Sequence, residues 1–250
     1  MELRSGNPAL REDTFRGLEF TGAAEDAMTI GGTVNKTALL LALVALTSGW
    51  TWYIYAQTQS AAAVTPWMIG GAIGGLIVAV ITAFKMRWSP ITAPIYALLE
   101  GLFIGGVSSV LESQYPGIVA QAVGLTFGTL AALLMVYKSG LIKVTENFKM
   151  GVVAATGGIF LVYLATIVLG FFGVSVPYIH GSGTIGIGFS IFVVVIASLN
   201  LVLDFDFIEQ GARSGAPAYM EWYGAFALIV TLIWLYIEIL RLLTKLRGRE

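Results

Sequence analysis

The chain of 250 residues has no cysteine, a single histidine and few charges, with 12% of its residues charged. Without cysteine it forms neither disulfide bonds nor thiolate metal sites, and it has no cysteine nucleophile. Its net charge is −1, and no basic patch interleaved with aromatic residues occurs, so we expect no nucleic-acid partner. Hydrophobic residues make up 57% of the chain and its mean hydropathy is +0.83. This composition predicts a polytopic membrane protein surrounded by lipid bilayer.

Long apolar stretches predict seven transmembrane helices. A spanning helix needs about 20 mostly apolar residues, because its backbone groups must be hydrogen-bonded within the segment. Residues 37–84 carry no charge, and the polar stretch QTQSAAAVTP divides them into two spans. The predicted spans are 37–56, 66–84, 91–110, 118–137, 150–172, 185–203 and 222–240. They leave a polar N-terminal tail over 1–36, a membrane domain over 37–240 and a basic C-terminal tail over 241–250.

Lysine and arginine predict the orientation. The N-terminal tail and the even-numbered loops hold ten of them, and the odd-numbered loops hold none. Because these residues favour the cytoplasmic side, we expect a cytoplasmic N-terminus. The four basic residues of the C-terminal tail oppose this orientation if the chain crosses seven times. The N-terminal tail lacks the early apolar run of a cleaved signal peptide, so we expect the first span to be retained.

Glycines recur at four-residue spacing in the GGAIGG stretch, at Gly101 and Gly105, and at Gly124 and Gly128. Small residues at this spacing let helices approach closely in lipid, where the hydrophobic effect does not drive helix association. We therefore interpret these glycines as helix-packing positions rather than as a phosphate-binding loop.

Two acids lie within predicted spans. An ionised side chain at the bilayer centre costs about 2.5–3.5 kcal/mol on insertion scales. Glu100 is near the middle of the third span with no basic residue within a turn, which favours a functional role. Glu238 is three residues before Arg241 near the end of the seventh span. The simpler interpretation of Glu238 is a helical ion pair at the membrane interface, and the alternative is a place on an ion pathway.

The stretch LNLVLDFDFIEQG ends the sixth span with three acids. Asn200 and Asp204 are four residues apart and share a helix face, so we expect both to point inward. Asp206 and Glu209 are expected on the solvated rim. Because of the predicted orientation, the Asp204 carboxylate lies on the same side as the loop after span two, where it meets a basic residue and loses that contact on protonation.

Enzyme chemistry is not expected. His180 is the single histidine and lies in the loop VPYIHGSGT, where HGSG resembles a fragment of a serine hydrolase. Serine chemistry within a membrane needs a base on a neighbouring helix, and the chain has no second histidine to supply it. The last span has no mid-helix lysine for a retinal Schiff base, and zinc metallopeptidase motifs are absent. We expect no catalytic residues, no resident metal and no cofactor, apart from weak Ca²⁺ binding.

Three motifs within seven spans carry a family resemblance: ALLEGLFIG in the third span, LVLDFDFIEQG at the end of the sixth and LIWLYIEILRLL in the seventh. In this order they resemble the Bax inhibitor family, the transmembrane Bax-inhibitor-motif proteins, in its bacterial branch. The resemblance covers residues 36–245. It implies six helices in two layers of three around a central C-terminal helix, in the bacterial cytoplasmic membrane. Some members behave as pH-sensitive calcium leaks, and others modulate membrane-protein quality control.

The resemblance also implies site residues. Leak members pair an aspartate ending span six with one in span seven, and an arginine after span two acts as a latch. Asp204 matches the first aspartate, and Arg87, or Lys85 in its place, matches the latch. The position of the second aspartate falls on Thr231, which does not ionise, so a shared-proton pair is not expected here. Glu100 is the alternative second acid, from another helix.

Two functions follow as expectations. The first is a pH-sensitive cation leak whose gating and ion pathway use five residues. These are Asp204, Glu100, Asn200, Thr231 and Glu238. The second is a non-transporting scaffold that binds a membrane-protein partner, such as a protease complex, through glycine-rich faces and the N-terminal tail.

Overall fold

The computed structural model describes residues 27–173, 181 and 183–248, and it confirms the all-α fold class. Seven helices are long and apolar enough to cross a membrane, and no strand is found among these residues. A short 3-10 turn, Met86–Trp88, precedes the third helix. The helices are α1 (Ile30–Thr58), α2 (Ala61–Phe84), α3 (Ser89–Gln114), α4 (Ile118–Lys138), α5 (Glu146–Phe171), α6 (Thr184–Arg213) and α7 (Tyr219–Arg247). His180 and residues 1–26 lie outside the described residues.

The helices extend beyond the predicted spans. Helix α1 begins at Ile30, because Thr29 is its N-cap and accepts a hydrogen bond from the Gly32 amide. Helix α7 continues to Arg247, so most of the stretch expected as a basic C-terminal tail is helical. The apolar content of a span marks only its lipid-facing length, whereas backbone hydrogen bonding carries the helix into the polar region beyond it.

The chain divides into two compact units. The unit that we call the N-terminal unit contains the described part of Asp13–Val119 together with Asp206–Val230. Within it, α3 packs against both α1 and α2. Glycines allow this approach, since a Cβ at Gly101 would lie 2.5 Å from the Val44 carbonyl oxygen. A Cβ at Gly105 would meet the Thr51 hydroxyl of α1. The predicted packing role is therefore confirmed for these two glycines.

The C-terminal unit contains the described parts of Ala120–Phe205 and Thr231–Glu250. Its apolar core is formed by Ile159 of α5 and Val193 and Ile196 of α6, against which Trp234 of α7 packs. The same four-residue spacing in α4 does not mark close packing, because nothing lies within 4 Å of a Cβ placed at Gly124 or Gly128. The packing prediction is therefore wrong for Gly124 and Gly128.

The last helix is the most buried of the seven. In the apolar part of α7, 67% of the residues are buried. The corresponding share is 50% for the spans of α3 and α6 and 11–17% for α1, α2, α4 and α5. A helix that is apolar all round and buried to this degree packs against protein rather than lipid.

Candidate functional site

Asp204 lies on α6, and its side chain is fully buried. Neither carboxyl oxygen has a hydrogen-bond partner among the residues that the structure describes. Buried polar atoms in folded proteins are almost always hydrogen-bonded, and a buried charge is normally paired. Within the described residues, Asp204 is therefore a buried acid whose oxygens make no hydrogen bond.

Thr231 of α7 lies beside this carboxyl, and Asn200 lies one turn earlier on the same face of α6. The Thr231 hydroxyl of α7 is near enough to interact with Asp204, although the two groups do not meet hydrogen-bond geometry. Asn200, one turn before Asp204, is also buried. Its amide donates to the Thr156 hydroxyl oxygen of α5 at 2.9 Å and to the Ile196 carbonyl oxygen at 2.8 Å. The inward orientation predicted for Asn200 and Asp204 is confirmed.

Glu238 is also buried, with 1% of its surface exposed. The Tyr163 hydroxyl of α5 lies 3.0 Å from each of its carboxylate oxygens. The predicted pair with Arg241 is present, with an N–O distance of 3.5 Å, and the Arg241 guanidinium lies 4.9 Å from the centre of the Tyr163 ring. The predicted ion pair is therefore confirmed, and the Glu238 carboxylate is enclosed by protein.

Lys245 has a buried side chain where the sequence predicts a solvated tail. Its ammonium group donates to the Gly186 carbonyl oxygen at 3.0 Å and to the Ser190 hydroxyl oxygen at 2.8 Å, both on α6. Sequence reasoning missed Lys245 because a basic residue beyond the apolar run resembles a loop charge. Its spacing was the available signal, because Lys245 lies seven residues after Glu238 and fourteen after Thr231.

These groups form what we call the polar seam. Residues seven apart on a helix share a face, and each of the three helices supplies such residues. Its members are Thr156 and Tyr163 of α5, Ser190, Asn200 and Asp204 of α6, and Thr231, Glu238 and Lys245 of α7. From Thr231 to Lys245 the seam is about 21 Å long at 1.5 Å per residue, against about 30 Å for the hydrocarbon core of a bilayer.

Glu100 and the latch candidates belong to the N-terminal unit. The Glu100 side chain is half-buried on α3, with its Oε1 atom 2.7 Å from the place that a Cβ at Gly75 would occupy. Lys85 and Arg87 are exposed at the turn between α2 and α3. The Ser89 hydroxyl donates to the Tyr219 carbonyl oxygen at 3.0 Å, which attaches this turn to the beginning of α7. The gating roles of Glu100, Lys85 and Arg87 stay predictions.

The remaining acids of the LNLVLDFDFIEQG stretch, Asp206 and Glu209, are half-buried. Asp206 accepts from Gln210 at 2.6 Å, and Glu209 pairs with Arg213 at 2.6 Å. Over the described ranges there is no group of three or more acidic or histidine side chains that would hold a metal ion. Asp204 is thus distinguished from its neighbours in sequence by complete burial without a hydrogen bond.

Comparison with known proteins places the chain in a family. None of the curated proteins matches it. The model of the family described as Bax inhibitor 1 like matches residues 7–248, which is nearly the whole sequence. Together with seven helices able to span a membrane, this match identifies an integral membrane protein. The chain belongs to the Bax inhibitor 1-like family.

Proposed function

We propose that the protein is a pH-sensitive cation leak in which the protonation state of Asp204 controls the passage of the ion. One observation carries the proposal: the Asp204 carboxyl is fully buried, and neither oxygen is hydrogen-bonded within the described residues. An ionised carboxylate removed from water is costly unless a cation or hydrogen-bond donors compensate it. Such a carboxyl therefore takes up either a proton or a cation, which is the chemistry that a proton-controlled ion path needs.

Calcium is the proposed ion, because it prefers oxygen ligands from carboxylates, carbonyls and hydroxyls. Asp204 supplies a carboxyl oxygen and Thr231 a hydroxyl in the same part of the C-terminal unit. Because Asp204 is neutral in the conducting state of this proposal, these groups offer the ion only uncharged oxygens, so the site is weak and binds the ion transiently. Weak binding suits conduction, because a permeating ion has to leave the site as readily as it enters.

Protonation supplies the gate in this proposal. The ionised Asp204 binds a basic latch residue, Arg87 or Lys85, in a closed state, and the neutral acid releases it. A proton that binds one state more tightly shifts the population toward that state.

Calcium flux into liposomes containing the purified protein tests this function. We expect the wild-type flux to rise as the pH falls. Asp204→Asn resembles the protonated acid, so its flux should be independent of pH and equal to the wild-type flux at acid pH. Asp206→Asn is the matched control, because Asp206 is two residues away and hydrogen-bonded to Gln210, and it should keep the wild-type pH profile. Flux no greater than in protein-free liposomes refutes the proposal.

We further propose that the protein lies in a bacterial cytoplasmic membrane with its N-terminus in the cytoplasm. The ten basic residues on one side support this orientation. Of the four that oppose it, Arg241 is paired with Glu238 and Lys245 is buried against α6, so these two do not act as loop charges.

Cysteine labelling measures the orientation directly, since the chain has no cysteine of its own. In intact cells we expect an impermeant thiol reagent to label Gln114→Cys, at the exposed end of α3. Ser139→Cys, between α4 and α5, should react only after the membrane is permeabilised. The reverse pattern would place the N-terminus outside.

A second candidate function is that of a scaffold for another membrane protein. The observation that favours it is the open space beside Gly124 and Gly128 of α4, since small residues at this spacing suit a docking helix. A photo-crosslinker placed in α4 should then capture a defined membrane protein in native membranes. A captured partner together with absent calcium flux would favour this function over the leak.

A further inference from the structure

The polar seam has its two ends in different electrostatic environments. Asp204 and Thr231 form one end, and Glu238 lies two turns along α7 from Thr231. Lys245, which is 5% exposed, forms the other end, and Arg241 lies beside the seam as the partner of Glu238. Beyond Thr231, two basic side chains in or beside the seam therefore stand against one acid.

Lys245 is held in place at that end. Its ammonium donates to a backbone carbonyl oxygen at Gly186 and to the hydroxyl of Ser190, both in the first two turns of α6. Arg241 differs, because it is paired with Glu238 and stacked on the Tyr163 ring. A cation that moves along the seam from Asp204 thus meets an acid first and a fixed ammonium group last.

We propose that Lys245 is an electrostatic barrier that restricts the passage of cations along the polar seam. The inference rests on the proposed function, since it takes cations to enter the seam at Asp204. A fixed positive charge in a narrow low-dielectric path repels a divalent cation strongly, and positively charged side chains exclude cations from other membrane pores. Lys245 accordingly keeps the protein a slow leak and not an open channel, and it determines selectivity without binding the ion.

Removal of this charge should increase calcium flux. Lys245→Met keeps the length of the side chain in its buried position and removes the ammonium, so we expect about a tenfold or greater rise in calcium flux in liposomes. Ser190→Asp places a carboxylate beside the ammonium and should raise flux by a second route. Lys245→Arg keeps the charge and should remain at the wild-type level.

Arg247→Gln is the matched control, because Arg247 carries the same charge two residues away and hydrogen-bonds to Gln121 in an exposed position. Its flux should not change. If Lys245→Met elutes as an aggregate on size exclusion, the calcium flux of Ser190→Asp tests the barrier in its place.

The outcomes separate the barrier from the leak itself. Flux raised in Lys245→Met and Ser190→Asp but unchanged in Lys245→Arg and Arg247→Gln supports the barrier. If Lys245→Met and Ser190→Asp both show the wild-type flux while Asp204→Asn still abolishes the pH dependence, the barrier is overturned and the leak is not. Flux in Lys245→Met but none in the wild type supports the barrier and overturns the native leak. No flux in any variant overturns both.

Discussion

Replacement of Glu238 by leucine should lower the free energy of unfolding by about 3–4 kcal/mol, because breaking a buried ion pair by removing one partner is strongly destabilising, while the 34% exposure of the Arg241 side chain reduces the cost of leaving it unpaired. Glu238 is 1% exposed and accepts hydrogen bonds from Tyr163 through both oxygens. Without it, the tyrosine hydroxyl loses its acceptor and the Arg241 guanidinium loses its counter-charge. Thermal or denaturant unfolding of the purified protein in detergent measures the loss.

The cluster of Glu238, Arg241 and Tyr163 offers a control for this prediction. A triple variant, Glu238→Leu with Arg241→Met and Tyr163→Phe, removes the tyrosine hydroxyl and the guanidinium together with their shared acceptor. Replacing a buried ionic group as a whole by apolar side chains is often neutral or stabilising, so most of the lost stability should return. Glu209→Gln breaks a more exposed pair with Arg213 and should cost about 1 kcal/mol or less. A Glu238→Leu protein as stable as the wild type would show that the cluster is not a buried network.

Replacement of Glu221 by leucine should have the second largest effect, and the effect should concentrate at the beginning of α1. The Thr29 amide and hydroxyl donate to Oε1 of Glu221 at 2.8 and 2.7 Å, and Lys36 pairs with its other oxygen. Glu221 thereby holds the N-cap of α1 against the first turn of α7. Because the side chain is only 8% exposed and that of Lys36 is 24% exposed, we expect a loss of about 3 kcal/mol.

Hydrogen exchange locates this effect. Amides in the first two turns of α1 should exchange faster in Glu221→Leu than in the wild type, while those in the middle of α3 should be little changed. Lys36→Met should be milder, since Glu221 keeps its two hydrogen bonds to Thr29. Uniform protection of α1 in the Glu221 variant would contradict the role of this side chain as a clamp.

Several features of the fold were predictable because they depend on local sequence. The seven spans follow from the length of apolar runs, and the inward position of Asp204 follows from the helix face that it shares with Asn200. Small-residue spacing was less informative. Gly101 and Gly105 contact α1, whereas Gly124 and Gly128 have open space at the same spacing. The spacing of small residues shows that one helix face is narrow, but which helix packs against that face depends on the fold.

The polar partners were not predictable, because they are distant in sequence. Tyr163 and Glu238 are 75 positions apart, and Lys36 and Glu221 are 185 apart. Lys245 was predicted to lie in the C-terminal tail, because its acceptors, Gly186 and Ser190, lie at the beginning of α6, more than 50 residues earlier in the sequence. The heptad spacing of Thr231, Glu238 and Lys245 was visible, but such spacing indicates one helix face and not which residues oppose it.

We propose that one buried carboxyl, on Asp204, controls the passage of cations. Calcium flux at a single alkaline pH, where the wild-type path is closed, tests this role when Asp204→Asn and Asp206→Asn are compared in the same liposomes. We expect rapid flux in Asp204→Asn, at the level that the wild type reaches only in acid, and slow flux in Asp206→Asn. Equal, slow flux in both variants would contradict it.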